Sequence, residues 1–138
     1  MSYTEDLKKA GQAELPWEML AGKNILIVGA TGLIGGCLVE LLLEKKDADY
    51  NVFAAGRNEG RASSRFAKYA ADPRYHFLKM DITRQIQSDT DFHFIIDAAS
   101  GASPKIYATD PVGVMKANIY GVDHLLTYGL SHHTEKMV

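Results

Sequence analysis

The stretch Asn24–Lys46, NILIVGATGLIGGCLVELLLEKK, carries the pattern that decides the fold. Its first part, Asn24–Gly29, is an apolar run typical of a strand buried on both faces of a parallel sheet. Glycines come next, and then Ile34, Leu38 and Leu41 recur at helical spacing until the charged segment EKKDAD. The stretch therefore predicts a strand, a glycine-rich turn and a helix, in that order.

The remaining chain continues this alternation of strand and helix. A polar helix or loop-helix is predicted over residues 58–72, and a long helix over Asp110–Leu130, with Asp110 as its cap and Pro111 as its first residue. Further strands are predicted at Tyr50–Ala55, Tyr75–Met80 and Asp91–Ala98, and a fifth begins in the final EKMV. This order predicts an α/β fold, a doubly wound parallel sheet with helices on both faces that reaches about the fifth strand.

Length and composition indicate one domain. The chain has 138 residues, of which 46% are hydrophobic, enough for the core of one ordinary domain. We expect residues 1–22 to form a polar lead-in and residues 23–138 the domain itself. Fifteen basic and 17 acidic side chains leave a formal charge of −2, which favours neither nucleic acid nor an anionic membrane surface as a partner.

Localisation is inferred from three features. No segment reaches about 18 consecutive apolar residues, and the start of the chain lacks the pattern of a secretory signal. The single cysteine, Cys37, cannot form an internal disulfide. These features predict a soluble, cytoplasmic protein.

The five histidines show no metal-ligand spacing, so no metal site is expected.

The glycines after the first strand have the arrangement of a phosphate-binding turn. Gly29, Gly32 and Gly35 form Gly-x-x-Gly-x-x-Gly between an apolar strand and an apolar helix, the context that this motif requires. Gly29 would permit the tight turn, Gly32 the approach of a pyrophosphate to the backbone, and Gly35 the packing of helix on strand. Gly36 is assigned to close packing beside them. A dinucleotide is therefore favoured over a turn without a ligand.

Several spaced motifs together resemble one superfamily. The GATGLIG spacing, the pair Asp81-Ile82 after the third strand, and the segment DAASGASPKIYATDPVGVMKANIYGVDHLL are similar to those of the extended short-chain dehydrogenases/reductases. Within it, the chain most resembles the NAD-dependent epimerases and dehydratases that act on nucleotide sugars, above all UDP-glucuronate decarboxylases and dTDP-glucose 4,6-dehydratases. The resemblance covers about residues 23–138 and implies a Rossmann-like fold with NAD or NADP as cofactor.

Site residues follow from this resemblance, position by position. It implies that Asp81 and Ile82 hold the adenine, that Lys116 lies near the substrate, and that Asn118 supports the active site. For Asn118 the apolar helical surroundings also suggest that its amide needs a partner. The residues implied around the pyrophosphate are Gly29, Thr31, Gly32, Leu33, Ile34 and Gly35. Those implied on the nicotinamide-ribose side are Ala98, Ala99 and Ser100.

Two positions depart from the pattern of the relatives. Many NAD-using members have an acidic residue after the second strand, where this chain has Gly56, Arg57 and Asn58. A guanidinium there can pair with a 2′-phosphate, so NADP and NAD both remain candidates. The second departure is Asp97, where relatives usually have histidine, and it leaves open how that strand end is hydrogen-bonded.

Catalytic residues are not found where the resemblance requires them. The family uses a Tyr-x-x-x-Lys pair on a helix beyond the fifth strand, where tyrosine moves the proton during hydride transfer. The one such pair here, Tyr75 and Lys79, falls in a predicted strand too early in the fold, and strand geometry separates the two side chains. No catalytic residue is therefore assigned.

Two functions remain open at this point. One is the cofactor-binding portion of a nucleotide-sugar epimerase, dehydratase or decarboxylase, inactive alone. The other is a catalytically inactive dinucleotide-binding or assembly module. The resemblance also implies a homodimer through the helix at Asp110–Leu130, whose apolar stripe would promote self-association.

Overall fold

The computed structural model describes residues 2–101 and 103–138. Its strands are β1 (Asn24–Val28), β2 (Asn51–Gly56), β3 (Tyr75–Lys79), β4 (Phe94–Asp97) and β5 (Lys136–Met137). Its helices are α1 (Tyr3–Gly11), α2 (Leu33–Glu44), α3 (Glu59–Arg65), α4 (Pro104–Thr109) and α5 (Pro111–Ser131). All neighbouring strands are parallel, in the order β3-β2-β1-β4-β5. The predicted doubly wound parallel sheet is thereby confirmed.

Strand β1 lies at the centre of the sheet and supplies side chains to both of its faces. Ile25 and Ile27 pack into one buried cluster with α2 and α3, whereas Leu26 and Val28 pack into a second cluster with α5. Because successive strand residues point to opposite faces, an apolar run is what a strand covered on both sides requires. Val28 aligns with Asp97, so β1 and β4 end side by side where the strand order switches.

Helix α1 is held by its own cap and by packing on α2. The Ser2 hydroxyl accepts a hydrogen bond from the Glu5 amide at 3.3 Å, and the Glu5 carboxylate accepts one from the Ser2 amide at 2.6 Å. This reciprocal capping box satisfies two donors at the helix start. Leu7 is buried, and α1 packs along α2.

Several predicted bounds shift. Strand β4 begins at Phe94 rather than Asp91, and just before it the Asn24 amide donates to the His93 imidazole at 2.9 Å. Helix α4, capped by Ser103, was not predicted. Helix α5 begins at Pro111 with Asp110 as its cap, as predicted. None of the helices within residues 2–101 and 103–138 has both the length and the hydropathy to span a bilayer.

An ion pair closes the carboxyl end of α2. The Arg74 guanidinium donates to the Lys45 carbonyl through Nη1 and to the Leu43 carbonyl through Nη2, both at 2.8 Å. The same guanidinium bonds both carboxylate oxygens of Asp72, at 3.0 and 2.8 Å. Arg74 thus supplies donors to carbonyls that have no partner within the helix, and Asp72 fixes its orientation.

This pair predicts acid sensitivity. The hydrogen bonds from Arg74 hold the pKa of Asp72 at about 2, below its usual value near 3.8, against the opposing effect of partial burial. Because the folded-state pKa is the lower one, the stabilisation is complete above about pH 4 and is lost as pH falls through about 2. Asp72→Asn should lower the free energy of unfolding at pH 7 by about 2 kcal/mol, measured by urea denaturation.

Asp47→Asn is the matched control for this prediction. Like Asp72, Asp47 pairs with a cation, here Lys45 at 3.2 Å, but the Asp47 side chain is 79% exposed. Solvent screens such a pair, so the loss of stability should be much smaller. Equal unfolding free energies for the parent chain and Asp72→Asn at pH 7 would contradict the prediction.

Candidate functional site

A cleft of about 480 Å³ lies at the carboxyl ends of β1, β2 and β4, beside α4 and α5. Gly29, Thr31 and Gly32 line it from the turn after β1. Gly56 and Arg57 line it from the end of β2. After β3 it is lined by Met80, Asp81, Ile82 and Thr83, and after β4 by Ala98, Ala99, Ser100 and Gly101. The sheet thus brings together residues from four separate parts of the sequence at its topological switch point.

The turn after β1 requires glycine at two positions. Gly29 has φ +77°, and a Cβ there would lie 2.6 Å from the Ala98 carbonyl oxygen. A Cβ on Gly35 would overlap the Gly29 carbonyl oxygen. At Gly32 a Cβ would be only tight, 3.2 Å from the same oxygen. Gly29 and Gly35 are therefore required by backbone packing, whereas Gly32 keeps the surface of the turn bare.

Helix α2 begins at this bare surface without a side-chain cap. Gly32 occupies the N-cap position, and its amide donates to the Gly29 carbonyl at 3.0 Å. In the described part of the chain, the N–H groups of Thr31, Leu33 and Ile34 donate to no backbone carbonyl. The Leu33 and Ile34 side chains are exposed, at 86% and 69%, and do not line the cleft. Their contribution to a ligand would therefore come from backbone amides.

Gly36 is a position of close packing beside the turn, as the sequence predicts. A Cβ at this position would overlap the guanidinium of Arg65, which crosses over Gly36 toward the turn. Arg65 Nη1 donates to the Gly32 carbonyl at 2.7 Å. Gly36 therefore leaves space for the Arg65 side chain of α3.

Asp81 lies in the cleft as an ionised acceptor. One of its oxygens accepts from the Thr83 amide at 3.0 Å and from the Thr83 hydroxyl at 2.7 Å. These hydrogen bonds are the main reason that the pKa of Asp81 lies below its usual value, and the charges of Arg57 and Arg84 add to the effect. Its other oxygen, Oδ2, lies 4.0 Å from Nε of Arg84, whose side chain is 84% exposed.

Arg57 and Asn58 separate into two roles at the end of β2. Arg57 is exposed and lines the cleft beside Gly56. The Asn58 side chain instead accepts a hydrogen bond from the Arg61 amide at 2.9 Å and caps α3. The Asn58 side chain thus caps a helix and does not line the cleft, and its contact with a cofactor stays a prediction.

The last residue of β4, Asp97, forms a hydrogen bond within the turn that follows the strand. Asp97 Oδ1 accepts from the Ala99 amide at 3.1 Å, and the Ala98 amide donates to the Val28 carbonyl at 3.0 Å. Burial raises the pKa of Asp97 above its usual value. Asp97 therefore shapes the turn that presents Ala98, Ala99 and Ser100 to the cleft, which answers the question that this departure left open.

Helix α5 brings Lys116 to the cleft and leaves Asn118 outside its lining. The Asn118 side chain is exposed, so its amide has no need of a partner inside the chain. Burial of the amide therefore gives no support to Asn118 as an active-site residue, and only the resemblance supports that role. Tyr75 and Lys79 lie on β3 at the edge of the sheet, and Tyr75 packs on Phe66 with ring centroids 5.6 Å apart.

Other cleft residues were missed by sequence reasoning. They belong to the start of α4 and α5 or to the turns before them: Gly101, Ile106, Asp110, Gly113 and Val114. The available signals were Ser103 and Pro104, a cap followed by proline at the first helical position. Thr83, two residues after Asp81, matches the spacing of an Asx turn and could have been found on that basis.

A parallel sheet of order 3-2-1-4-5, with a glycine turn leading to an uncapped helix at the switch point, defines the dinucleotide-binding class of α/β folds. The model of the family described as "NAD dependent epimerase/dehydratase family" matches residues 25–138. The chain therefore belongs to the NAD-dependent epimerase/dehydratase family. No curated protein sequence matches the chain significantly.

Solved structures share the fold at low sequence identity. Pen from Bacillus thuringiensis matches with TM-score 0.72 and 21% identity over 86% of this chain and 37% of its own. A Streptomyces venezuelae dTDP-glucose 4,6-dehydratase (a double mutant) with NAD bound matches with TM-score 0.68 and 20% identity over 82% of this chain and 37% of its own.

A yeast methylglyoxal/isovaleraldehyde reductase complexed with NADPH matches with TM-score 0.67 and 20% identity over 83% of this chain and 35% of its own. The chain thus spans little more than a third of the length of these structures. At these identities the likeness concerns the fold, because sites vary widely on one fold.

Proposed function

We propose that this chain is the NAD(P)-binding portion of an enzyme that acts on nucleotide sugars by hydride transfer, as an epimerase, dehydratase or decarboxylase. The observation that carries the proposal is the glycine turn after β1, which leads to a start of α2 whose N-cap, Gly32, has no side chain. Free N–H groups and the helix dipole at such a start favour a pyrophosphate. A bound nicotinamide would supply the hydride acceptor or donor.

The residues around the cleft fit a dinucleotide. Gly32 presents backbone without a side chain, as a pyrophosphate requires. Asp81 Oδ2, which is 4.0 Å from the exposed Arg84 and accepts no hydrogen bond from the described residues, can accept from the adenine amine beside Ile82. Ala99 and Ser100 lie across the cleft, where the resemblance puts the nicotinamide ribose.

Two further residues carry proposals about the substrate. Lys116 lines the cleft from α5, within reach of a ligand that lies beyond Ala98. We assign it to the sugar nucleotide, and Asn118 to support of the same region. In the whole sequence Tyr75 and Lys79 form the only Tyr-x-x-x-Lys, and neither of them lines the cleft. We therefore expect no turnover of sugar nucleotides by these 138 residues alone.

Self-association through α5 is part of the proposal. The helix exposes apolar side chains, each more than half accessible: Val112, Met115, Ile119, Leu126 and Leu130. An apolar helix face of this kind favours pairing with a second copy of the chain. We further propose a cytoplasmic location, because the one cysteine, Cys37, is free and suits a reducing compartment.

Titration with NADH and NADPH tests the proposal. We expect either dinucleotide to change its nicotinamide fluorescence on binding and to raise the Tm of the chain with increasing concentration. Arg57→Gln should lower the affinity for NADPH about tenfold and that for NADH much less, because a guanidinium pairs with the 2′-phosphate. A chain that binds neither dinucleotide at millimolar concentration would contradict the proposal.

The second candidate is a catalytically inactive dinucleotide-binding or assembly module. The observation that favours it is the absence of a Tyr-x-x-x-Lys at the cleft among residues 2–101 and 103–138. The parent gene decides between the two, since a Tyr-x-x-x-Lys encoded within roughly sixty codons after Val138 would support the enzyme. Steady turnover of a UDP-sugar or dTDP-sugar by the 138-residue chain would exclude the inactive module as its function. It would also contradict the expectation that these residues alone are inactive.

A further inference from the structure

One buried carboxylate on α2 does not belong to the cleft lining. Glu40, on α2, is 9% exposed and is the single buried charged residue among those described. It accepts a hydrogen bond from the Tyr3 hydroxyl of α1. It also accepts from Arg65 of α3, through Nε at 3.3 Å and Nη2 at 3.4 Å. A buried charge is costly unless it is paired in this way, so the three side chains depend on one another.

The other edge of the Arg65 guanidinium holds the glycine turn. Nη1 donates to the Gly32 carbonyl at 2.7 Å and lies 3.5 Å from the Thr31 carbonyl. The guanidinium reaches these atoms only because residue 36 is glycine, as described above. Tyr3, Glu40 and Arg65, the relay hereafter, thus form a continuous hydrogen-bonded path from α1 to the turn.

The end of this path is a peptide group that serves the cleft. The Gly32 carbonyl accepts from both Arg65 and the Gly36 amide, the latter at 3.0 Å. This carbonyl shares its peptide plane with the Leu33 N–H, which lies at the open start of α2. Two donors on the oxygen polarise the peptide and make its N–H a stronger donor. Glu40 neutralises the guanidinium, so Arg65 acts on the turn through its hydrogen bonds rather than through a net charge.

We propose that the relay positions the glycine turn, and that α1 thereby contributes to the affinity of the cleft for the pyrophosphate of a dinucleotide. This inference rests on the proposed dinucleotide binding. Arg65 acts as a positioning residue through backbone carbonyls, while Glu40 fixes the guanidinium and Tyr3 fixes Glu40. Residues 3–11, which the sequence marks only as a lead-in, become part of the binding apparatus.

The chain contains a matched control one helical turn away. Glu44 accepts from the Tyr69 hydroxyl at 2.8 Å and pairs with Lys68 at 2.7 Å. This group has the same chemistry as the relay, with a tyrosine, a glutamate and a cation, but it follows the relay along α2, away from the glycine turn. Glu40→Gln and Glu44→Gln therefore remove equivalent charges, of which only the first contacts the cation that holds the turn.

The experiment compares NADH and adenosine binding by the 138-residue chain and its variants. Glu40→Gln and Arg65→Lys should each weaken NADH binding about tenfold, because the fork of hydrogen bonds is lost. Tyr3→Phe should weaken it less, by about threefold. Adenosine, which has no phosphate, should bind all variants equally. Glu44→Gln should lower the Tm but leave the Kd for NADH unchanged.

Each outcome bears on the inference. Unchanged NADH affinity in Glu40→Gln and Tyr3→Phe would overturn it, and so would a parallel loss of adenosine binding, which indicates a general structural effect. Equal losses in Glu40→Gln and Glu44→Gln would overturn it as well. If the unaltered chain binds no NADH, the proposed function fails together with the inference, whereas binding by all variants alike leaves the proposed function intact. Tyr3→Phe removes one hydroxyl from a half-exposed side chain, so it remains informative even if Arg65→Lys does not fold.

Discussion

Gly29→Ala should destabilise the folded chain by about 3 kcal/mol, the sum of left-handed backbone strain and a clash with fixed backbone atoms. The new Cβ would lie 2.6 Å from the Ala98 carbonyl oxygen and 2.8 Å from the Ala99 Cα. Neither atom belongs to a flexible side chain, so relief requires β1 and β4 to move apart. We expect a lower midpoint in urea denaturation and a loss of NADH binding.

Gly22→Ala separates the two contributions. Gly22 also has a positive φ, +71°, but a Cβ there would meet no atom within 4 Å. Its replacement should therefore cost only the backbone strain, about 1 kcal/mol, and should leave NADH binding unchanged. If both substitutions cost the same, the contact between Gly29 and Ala98 is not what makes glycine necessary at the turn.

Phe92→Ala should lower the free energy of unfolding by about 4 kcal/mol, the usual cost of removing a fully buried aromatic side chain. Phe92 is 0% exposed and packs edge-on against Phe53, with ring centroids 5.1 Å apart. Its ring also packs against Tyr128 of α5, at 5.7 Å. The cavity would lie between the sheet and α5, so the position of Lys116 at the cleft should also become less defined. Urea denaturation of the parent chain and the variant measures this change in the free energy of unfolding.

Leu130→Ala is the control for Phe92→Ala. Leu130 lies near the end of α5, the helix that Phe92 packs against, but its side chain is 90% exposed. Its removal from a monomer should change the unfolding free energy by no more than about 0.5 kcal/mol. A larger effect that depends on protein concentration would instead measure self-association through α5. A cost below about 1 kcal/mol for Phe92→Ala would contradict the described packing of α5.

The central elements were predictable because their signals are local. The apolar run of β1, the helical spacing in α2 and the Asp110-Pro111 start of α5 each lie within a few consecutive residues. Helix α4 has only six residues, too few for a helical period to be distinguished from chance. The extent of β4 depends on hydrogen bonds with β1 and β5, which its own residues do not reveal.

The site residues, like the elements of the fold, were predictable where their signals are local in the sequence. Gly29, Gly32 and Asp81 could be assigned from motifs, and the structure brings all three to one cleft. The contact of Arg65 with the turn could not be predicted, because it joins residues 33 positions apart through side-chain geometry. The capping of α3 by Asn58 could not be distinguished from a cofactor contact, because both leave the same pattern in a sequence, a polar residue after a strand.

The pairing of β1 sets the order in which the chain can assemble during its synthesis. Val28 aligns with Ala55 in β2 and with Asp97 in β4, so the first neighbour leaves the ribosome long before the second. The half containing α1, α2, β2 and β3 can pack while β1 still lacks one neighbour. The Ala98 carbonyl that closes on Gly29 arrives only with the later half. The contact that makes glycine necessary at position 29 therefore forms only once β4 has paired with β1.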